Sequence, residues 1–288
     1  MAHVSGRNLA LTGVPRGGTT LACRLLGLCA DTVALFEPMD VTGLPTHDPP
    51  AAVERISAFY DETRAQLLES GSAPSKQRDG QVPDNPFDDE RTANGPRRIQ
   101  VAPGRIRIEP MPDPDFTLVI KHNAAFTALL PLLAERFETI AIVRHPLSVL
   151  ASWNSVDLPV RDGRLPAGER LDAALAARLA LEPLRLHRQL IVLDWFFARF
   201  ATALPPSRVV RYEDLIASQG AELRALAGLS GSADGLLSER NSNAAYSHDD
   251  VSRLALALQR HPGHWQHWYP ADSIAPLAQR MRQQARRP

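Results

Sequence analysis

An apolar run from Leu9 to Thr12 leads into Gly13-Val14-Pro15-Arg16-Gly17-Gly18-Thr19-Thr20, and a helical pattern follows. The chemistry of such a turn is anion binding. Consecutive backbone N–H groups point inward, and the helix start adds roughly half a positive charge. Thr19 and Thr20 add hydroxyl donors. The spacing from Gly13 to Gly18 nearly fits the phosphate loop G-x-x-x-x-G-K-[ST], but Thr19 stands where the lysine belongs. A nucleoside triphosphate needs that lysine and a strand-end Asp near Mg²⁺, whereas the candidate strand here ends Val143-Arg144-His145. A ligand with fewer phosphates and no metal fits better. Arg144 supplies a fork for a phosphate dianion, and Ser152, on the helix that Pro146 opens, can donate to the same group. Lys121 closes the run from Phe116 to Ile120 and is one of only two lysines, with Lys76, among 32 basic residues. A lysine at a strand end is an unusual local choice in this chain.

Three ordered motifs between Gly13 and Leu215 together resemble the PAPS-dependent sulfotransferases, PAPS being 3′-phosphoadenosine-5′-phosphosulfate. Pro15-Arg16-Gly17-Gly18-Thr19-Thr20 resembles their 5′-phosphosulfate loop. Val143-Arg144-His145-Pro146 with Ser152-Trp153 resembles their 3′-phosphate motif. Val209-Val210-Arg211-Tyr212-Glu213-Asp214-Leu215 resembles the segment whose tyrosine lies by the nucleotide. Arginine at position 16, where the cytosolic branch carries lysine, is similar to the tyrosylprotein-type and many bacterial members.

The resemblance implies a P-loop-like α/β fold and transfer of a sulfuryl group from PAPS to an acceptor hydroxyl, leaving PAP, without a metal. It places Pro15, Arg16, Gly17, Gly18, Thr19 and Thr20 around the 5′-phosphosulfate, with Arg16 also on the bridging oxygen. Arg144 and Ser152 fall on the 3′-phosphate, Tyr212 beside the nucleotide, and Arg240 where relatives complete that site. Glu37, in Leu35-Phe36-Glu37-Pro38, resembles the catalytic glutamate of the tyrosylprotein-type members. A carboxylate after so apolar a run is expected to be desolvated, with its pKa raised toward a useful base. Lys121 and Arg16 would stabilise the leaving phosphate. Cytosolic relatives read K-x-H where this chain reads Lys121-His122-Asn123. Adjacent strand residues point to opposite faces, which makes His122 the rival base and favours Glu37.

These residues need strands to hold them. Buried parallel strands are expected at Leu9–Thr12, Thr32–Phe36, Phe116–Ile120, Thr139–Val143 and Val209–Tyr212. Helices are expected at Thr19–Leu28, Pro146–Trp153 and Leu171–Phe200, the last broken at Pro183. The alternation predicts an open parallel sheet flanked by helices, with ligands at the carboxyl ends of the strands, and the resemblance implies that it forms one sulfotransferase domain over 1–288. The proline-rich stretch 41–115 carries one convincing helix, Ala51–Ser70. The rest reads as an irregular excursion over the sheet edge, either an acceptor-binding or lid region or a partly disordered insertion.

Lysine and arginine balance aspartate and glutamate, so the formal net charge is zero and any anion site must be built locally. Partners are therefore expected to be small molecules, or a glycan or peptide carrying the acceptor hydroxyl, with neither nucleic acid nor membrane. Cys23 and Cys29 lie in one helix and are expected to stay reduced, in keeping with a cytoplasmic location. The histidines and tryptophans from His261 to Tyr269 read as packing, because His264 and His267 are poorly spaced for one ion. The rival classes are a P-loop kinase or NTPase and a non-catalytic nucleotide-binding module.

Overall fold

The computed structural model describes residues 6–87, 96–231, 235–241 and 248–284, with backbone alone at 248 and 249. Its strands are β1 (Asn8–Gly13), β2 (Thr32–Phe36), β3 (Ser72–Gln77), β4 (Ala102–Arg107), β5 (Thr117–Lys121), β6 (Glu138–Val143) and β7 (Val209–Arg211). The first half contributes helices α1 (Thr19–Gly27), α2 (Pro49–Ser70), α3 (Ala124–Ala128), α4 (Leu130–Arg136) and α5 (Pro146–Trp153). The second half contributes α6 (Pro166–Leu171), α7 (Ala173–Leu181), α8 (Arg185–Ala203), α9 (Tyr212–Ala217), α10 (Ala221–Ala227), α11 (His248–Arg260) and α12 (Ile274–Gln284). None of the described helices is long and apolar enough to cross a membrane.

The main sheet is five-stranded and parallel, in the order β2-β5-β1-β6-β7. Alternate residues of each strand feed two cores. Ala10, Leu35, Ile120 and Ala141 face one side, where they meet Ile56 and Tyr60 of α2 and Phe196, Phe197 and Phe200 of α8. Leu9, Leu11, Val119 and Ile142 face the other, against Cys23, Leu25 and Leu26 of α1 and Leu215 and Leu223 of α9 and α10. Burial on both faces is why these strands read as continuous β-branched runs. Helix α1 leads from β1 toward β2, whereas the chain beyond β6 leads to β7 on the other side. The crevice past the carboxyl ends of β1 and β6 is therefore a topological switch point, where open sheets bind ligands.

The structure corrects the expectation for 41–115. Helix α2 lies on the sheet face and is part of the core: Tyr60 donates to Leu9 O at 2.8 Å, and the buried Arg64 donates to Phe116 O at 2.7 Å. Part of what read as irregular is an antiparallel hairpin, β3 with β4. Two smaller corrections concern ends. The last strand stops at Arg211, so Tyr212 opens α9, and the expected helix 171–200 begins as α7 at Ala173, breaking at 182–184 around Pro183 as expected. Cys23 and Cys29 are buried free thiols, but only Cys23 lies in α1, Cys29 falling past its end; Trp265 and Tyr269 are buried in the core, whereas His261, His264 and His267, expected to pack, are exposed.

Candidate functional site

The glycine turn is fixed by close backbone approach. At Gly13, φ is 151° and a Cβ would stand 2.3 Å from Ile142 O, so no side chain fits there. Val14 N donates to Ile142 O at 3.0 Å, Gly17 N to Val14 O at 2.8 Å, and Trp153 Nε1 to Pro15 O at 2.8 Å. Gly18 takes φ 94° with the Tyr212 ring 2.6 Å from where its Cβ would be. Among the described residues no side chain caps α1, and uncapped first-turn N–H groups of this kind suit an anion. Arg16 holds φ 68°, places its guanidinium 4.4 Å from the Phe87 ring centroid, and donates from Nε to Ser152 Oγ at 3.1 Å.

Arg144 leaves β6 and lies against this loop. Its guanidinium stacks 4.5 Å from the Tyr212 centroid, with NH1 donating to Arg16 O at 3.2 Å and Nε to Asn241 Oδ1 at 2.7 Å. Its remaining terminal nitrogen donates to Arg240 O. Behind it, Glu213 joins four elements. Its Oε1 accepts from Asn241 Nδ2 at 2.7 Å and from His145 N at 3.2 Å, and its Oε2 accepts from Tyr269 OH at 2.7 Å. Glu213 and Asn241 carry no local signal in the sequence, because the partners of Glu213 come from the turn after β6, the segment before α11 and the segment before α12. Ser242 and Asn243, in the stretch expected to complete the nucleotide site, lie outside the described residues.

Glu37 follows β2 and extends the ladder, its N–H donating to Lys121 O at 2.9 Å. Its φ is 44° immediately before Pro38, a left-handed conformation that costs about 1–3 kcal/mol for a residue with a Cβ. The carboxylate is gripped on both oxygens. Lys121 Nζ reaches Oε1 at 2.8 Å and Lys76 Nζ reaches Oε2 at 2.5 Å. Both lysines of the chain thus converge on one glutamate. Lys121 is 2% exposed and sits 4.4 Å from the Phe36 ring centroid.

This overturns the expected electrostatics of Glu37. Burial does push its carboxyl up, but Lys121 and Lys76, with His122 behind them, outweigh burial and hold it well below the usual carboxylate range. Burial lowers the Lys121 ammonium, a shift that Glu37 opposes. His122 is also buried, and desolvation, opposed by Glu37, lowers it to about 4. Its Nε2 accepts from Met39 N at 3.3 Å, so the lone pair a base would use is already engaged. The expected opposition of Lys121 and His122 does not hold either. β5 ends at Lys121, the chain turns out of the sheet, and both residues reach the same cavity.

That cavity, of about 520 Å³, is bordered by Pro15, Arg16, Gly18, Thr19 and Thr20 from the turn, by Arg144, Tyr212 and Arg240, and by Glu37, Lys121 and His122. Gly17 and Ser152 stand behind its wall, Ser152 fully buried beneath Arg16. Seven lysine and arginine side chains but only two carboxylates, Glu37 and Asp84, line it among the described residues. In a chain of zero net charge this is a local concentration of basic side chains. Comparison with known proteins adds nothing to this geometry: no protein-family model matches the chain, and no curated protein matches it.

Proposed function

We propose that the chain is a PAPS-dependent sulfotransferase. One observation carries the reading: a single cavity joins the uncapped start of α1 and its glycine turn to Arg144 at one boundary and to Glu37 and Lys121 at another. A nucleotide with two separated anionic groups suits the first boundary, and its reacting end would then face the second. Arg16 and the first turn of α1 would bind the 5′-phosphosulfate, and Arg144, stacked on Tyr212, the 3′-phosphate. Ser152 would act through Arg16, whose guanidinium it already holds. Glu37 is the base and Lys121 the cation beside the leaving phosphate, so rate comes from positioning and charge.

The wall beyond Glu37 supports an acceptor hydroxyl on an apolar body. Val41 lies four residues past Glu37, Ala124 and Ala125 follow the Lys121 turn, and Leu158, Val160 and Leu165 complete the surface. Arg164, on that wall, is paired with Glu169. The decisive experiment is transfer of labelled sulfate from PAPS to a panel of phenols, apolar alcohols, sugars and tyrosine peptides, run with and without EDTA, beside PAP titration by calorimetry. PAP binding and EDTA-resistant transfer are expected. Mg²⁺-dependent ATP turnover, or PAP binding with no transfer to any acceptor, overturns the reading in favour of an NTPase or a binding module.

A further inference from the structure

The two lysines on Glu37 are not equivalent. Lys121 extends from the central sheet, is almost wholly enclosed, and is backed by the Phe36 ring. Lys76 comes from the two-stranded hairpin, is 38% exposed, and borders the cavity with its ammonium 5.9 Å from the same ring. Ser75, its neighbour, anchors the hairpin by accepting from Phe36 N at 3.0 Å, which fixes the backbone beneath Lys76 while its side chain keeps an open path. An acceptor hydroxyl that delivers a proton to Glu37 needs an oxygen of the carboxylate. Oε1 is held from inside by Lys121, so only Oε2 can be cleared from the cavity.

We propose that Lys76 is a positioning residue for Glu37: it occupies Oε2 in the free protein and yields that oxygen to the acceptor hydroxyl, while Lys121 keeps Oε1. This rests on the sulfotransferase reading for the acceptor step and on geometry alone for the resting state. In the step itself the acceptor oxygen forms the new bond to sulfur and its proton passes to Oε2. The bond from sulfur to the bridging phosphate oxygen breaks, and its electron pair stays on that phosphate. Lys76 therefore competes with the acceptor rather than assisting the donor, and it keeps Glu37 ionised until the acceptor arrives. The charged and titratable groups facing Glu37 are Lys121 and His122 at the end of β5, Lys76 on β3 and, from α1, Cys23. Burial pushes the Cys23 thiol up to about 12, so it stays neutral.

The test uses the whole chain as wild type, Lys76→Met and Lys76→Arg, with the Glu37 carboxyl followed by ¹³C NMR during acid titration and no ligand present. Loss of one adjacent cation should raise the Glu37 midpoint in Lys76→Met by about one pH unit or more, and Lys76→Arg should stay with wild type. An unmoved midpoint in Lys76→Met overturns the proposal without any appeal to activity. With PAPS and an acceptor, the acid limb of kcat/KM should move up in parallel in Lys76→Met, the acceptor KM should fall, and PAP affinity should stay within about twofold. A tenfold loss of PAP affinity would assign Lys76 to the donor and overturn the proposal. A limb that stays in place while the NMR midpoint moves overturns the acceptor step. If wild type transfers to no acceptor, the sulfotransferase reading and the acceptor step fall together, and the NMR midpoint alone decides the resting role of Lys76.

Discussion

Among the described residues only five other than glycine hold positive φ, and two of them, Arg16 and Glu37, border the same cavity. Strain of that kind persists where surrounding structure over-determines it, and sites of function are where it collects. Glu37→Gln keeps the shape but removes the base. Turnover should fall by about 10²–10⁴-fold with PAP affinity nearly unchanged, read from initial rates and calorimetry. A near-normal rate would move the base elsewhere. Arg144→Ala should act the opposite way, weakening PAP binding by about 10–100-fold through loss of charge-assisted bonds. Unchanged PAP affinity would remove Arg144 from the nucleotide site. Arg16, Arg144, Glu37 and Lys121 were legible as candidates because each closes a strand or opens a turn in an apolar context. Lys76 was visible only as the other lysine, since nothing local in Pro74-Ser75-Lys76-Gln77 signals a partner 39 residues upstream.

The elements show the same division. Strands buried on both faces announce themselves by composition, and all five expected ones are present within a residue or two at each end. The hairpin does not, because Pro74 and Pro103 sit inside it and proline argues against a strand. Both prolines are tolerated since each strand of a two-stranded ribbon is an edge. Helix α2, expected over Ala51–Ser70, is present and starts two residues earlier at Pro49, with Asp48 accepting the Ala51 N–H and Gly71 at φ 63° ending it, but its docking onto β1 through Tyr60 is a long-range fact. The hairpin is attached to β2 through Ser75. Ser75→Ala should therefore cost about 1 kcal/mol in denaturant unfolding, for one lost buried hydrogen bond, and should lower kcat more than it alters PAP affinity, because Phe36 and Glu37 lose their tether. Equal losses in both would make the hairpin a general support rather than a guide for Glu37.

At the scale of the molecule, acid stability depends on two histidines that the fold keeps neutral. His122 Nε2 accepts from Met39 N at 3.3 Å, and His145 Nδ1 accepts from Leu147 N at 3.3 Å while its Nε2 meets Ser273 Oγ at 3.1 Å. Protonation would place a donor where each ring now accepts from backbone. Burial lowers both to about 4 from an ordinary 6.5, for His145 against the pull of Glu213 and with Arg280, Arg211 and Arg144 adding to the shift. Between those values the unfolded chain binds protons that the folded chain refuses, so stability is complete above about pH 6.5 and drains away as pH falls toward 4. Each shift corresponds to about 3 kcal/mol across the window, enough to matter against a typical total of about 5–15 kcal/mol. The depressed carboxylates Glu37, Glu138 and Asp172 begin to lose their stabilising ionisation only as pH falls into the ordinary carboxylate range, so most of the interval from pH 6.5 to 4.5 reports on the histidines. Melting temperature followed through that interval should fall steadily. His145→Gln, which can still accept from Leu147 N without gaining a proton, should be less stable at pH 7.5 yet show a shallower slope. A slope in that variant equal to wild type would mean that His145 takes its proton in the folded protein as readily as in the unfolded one.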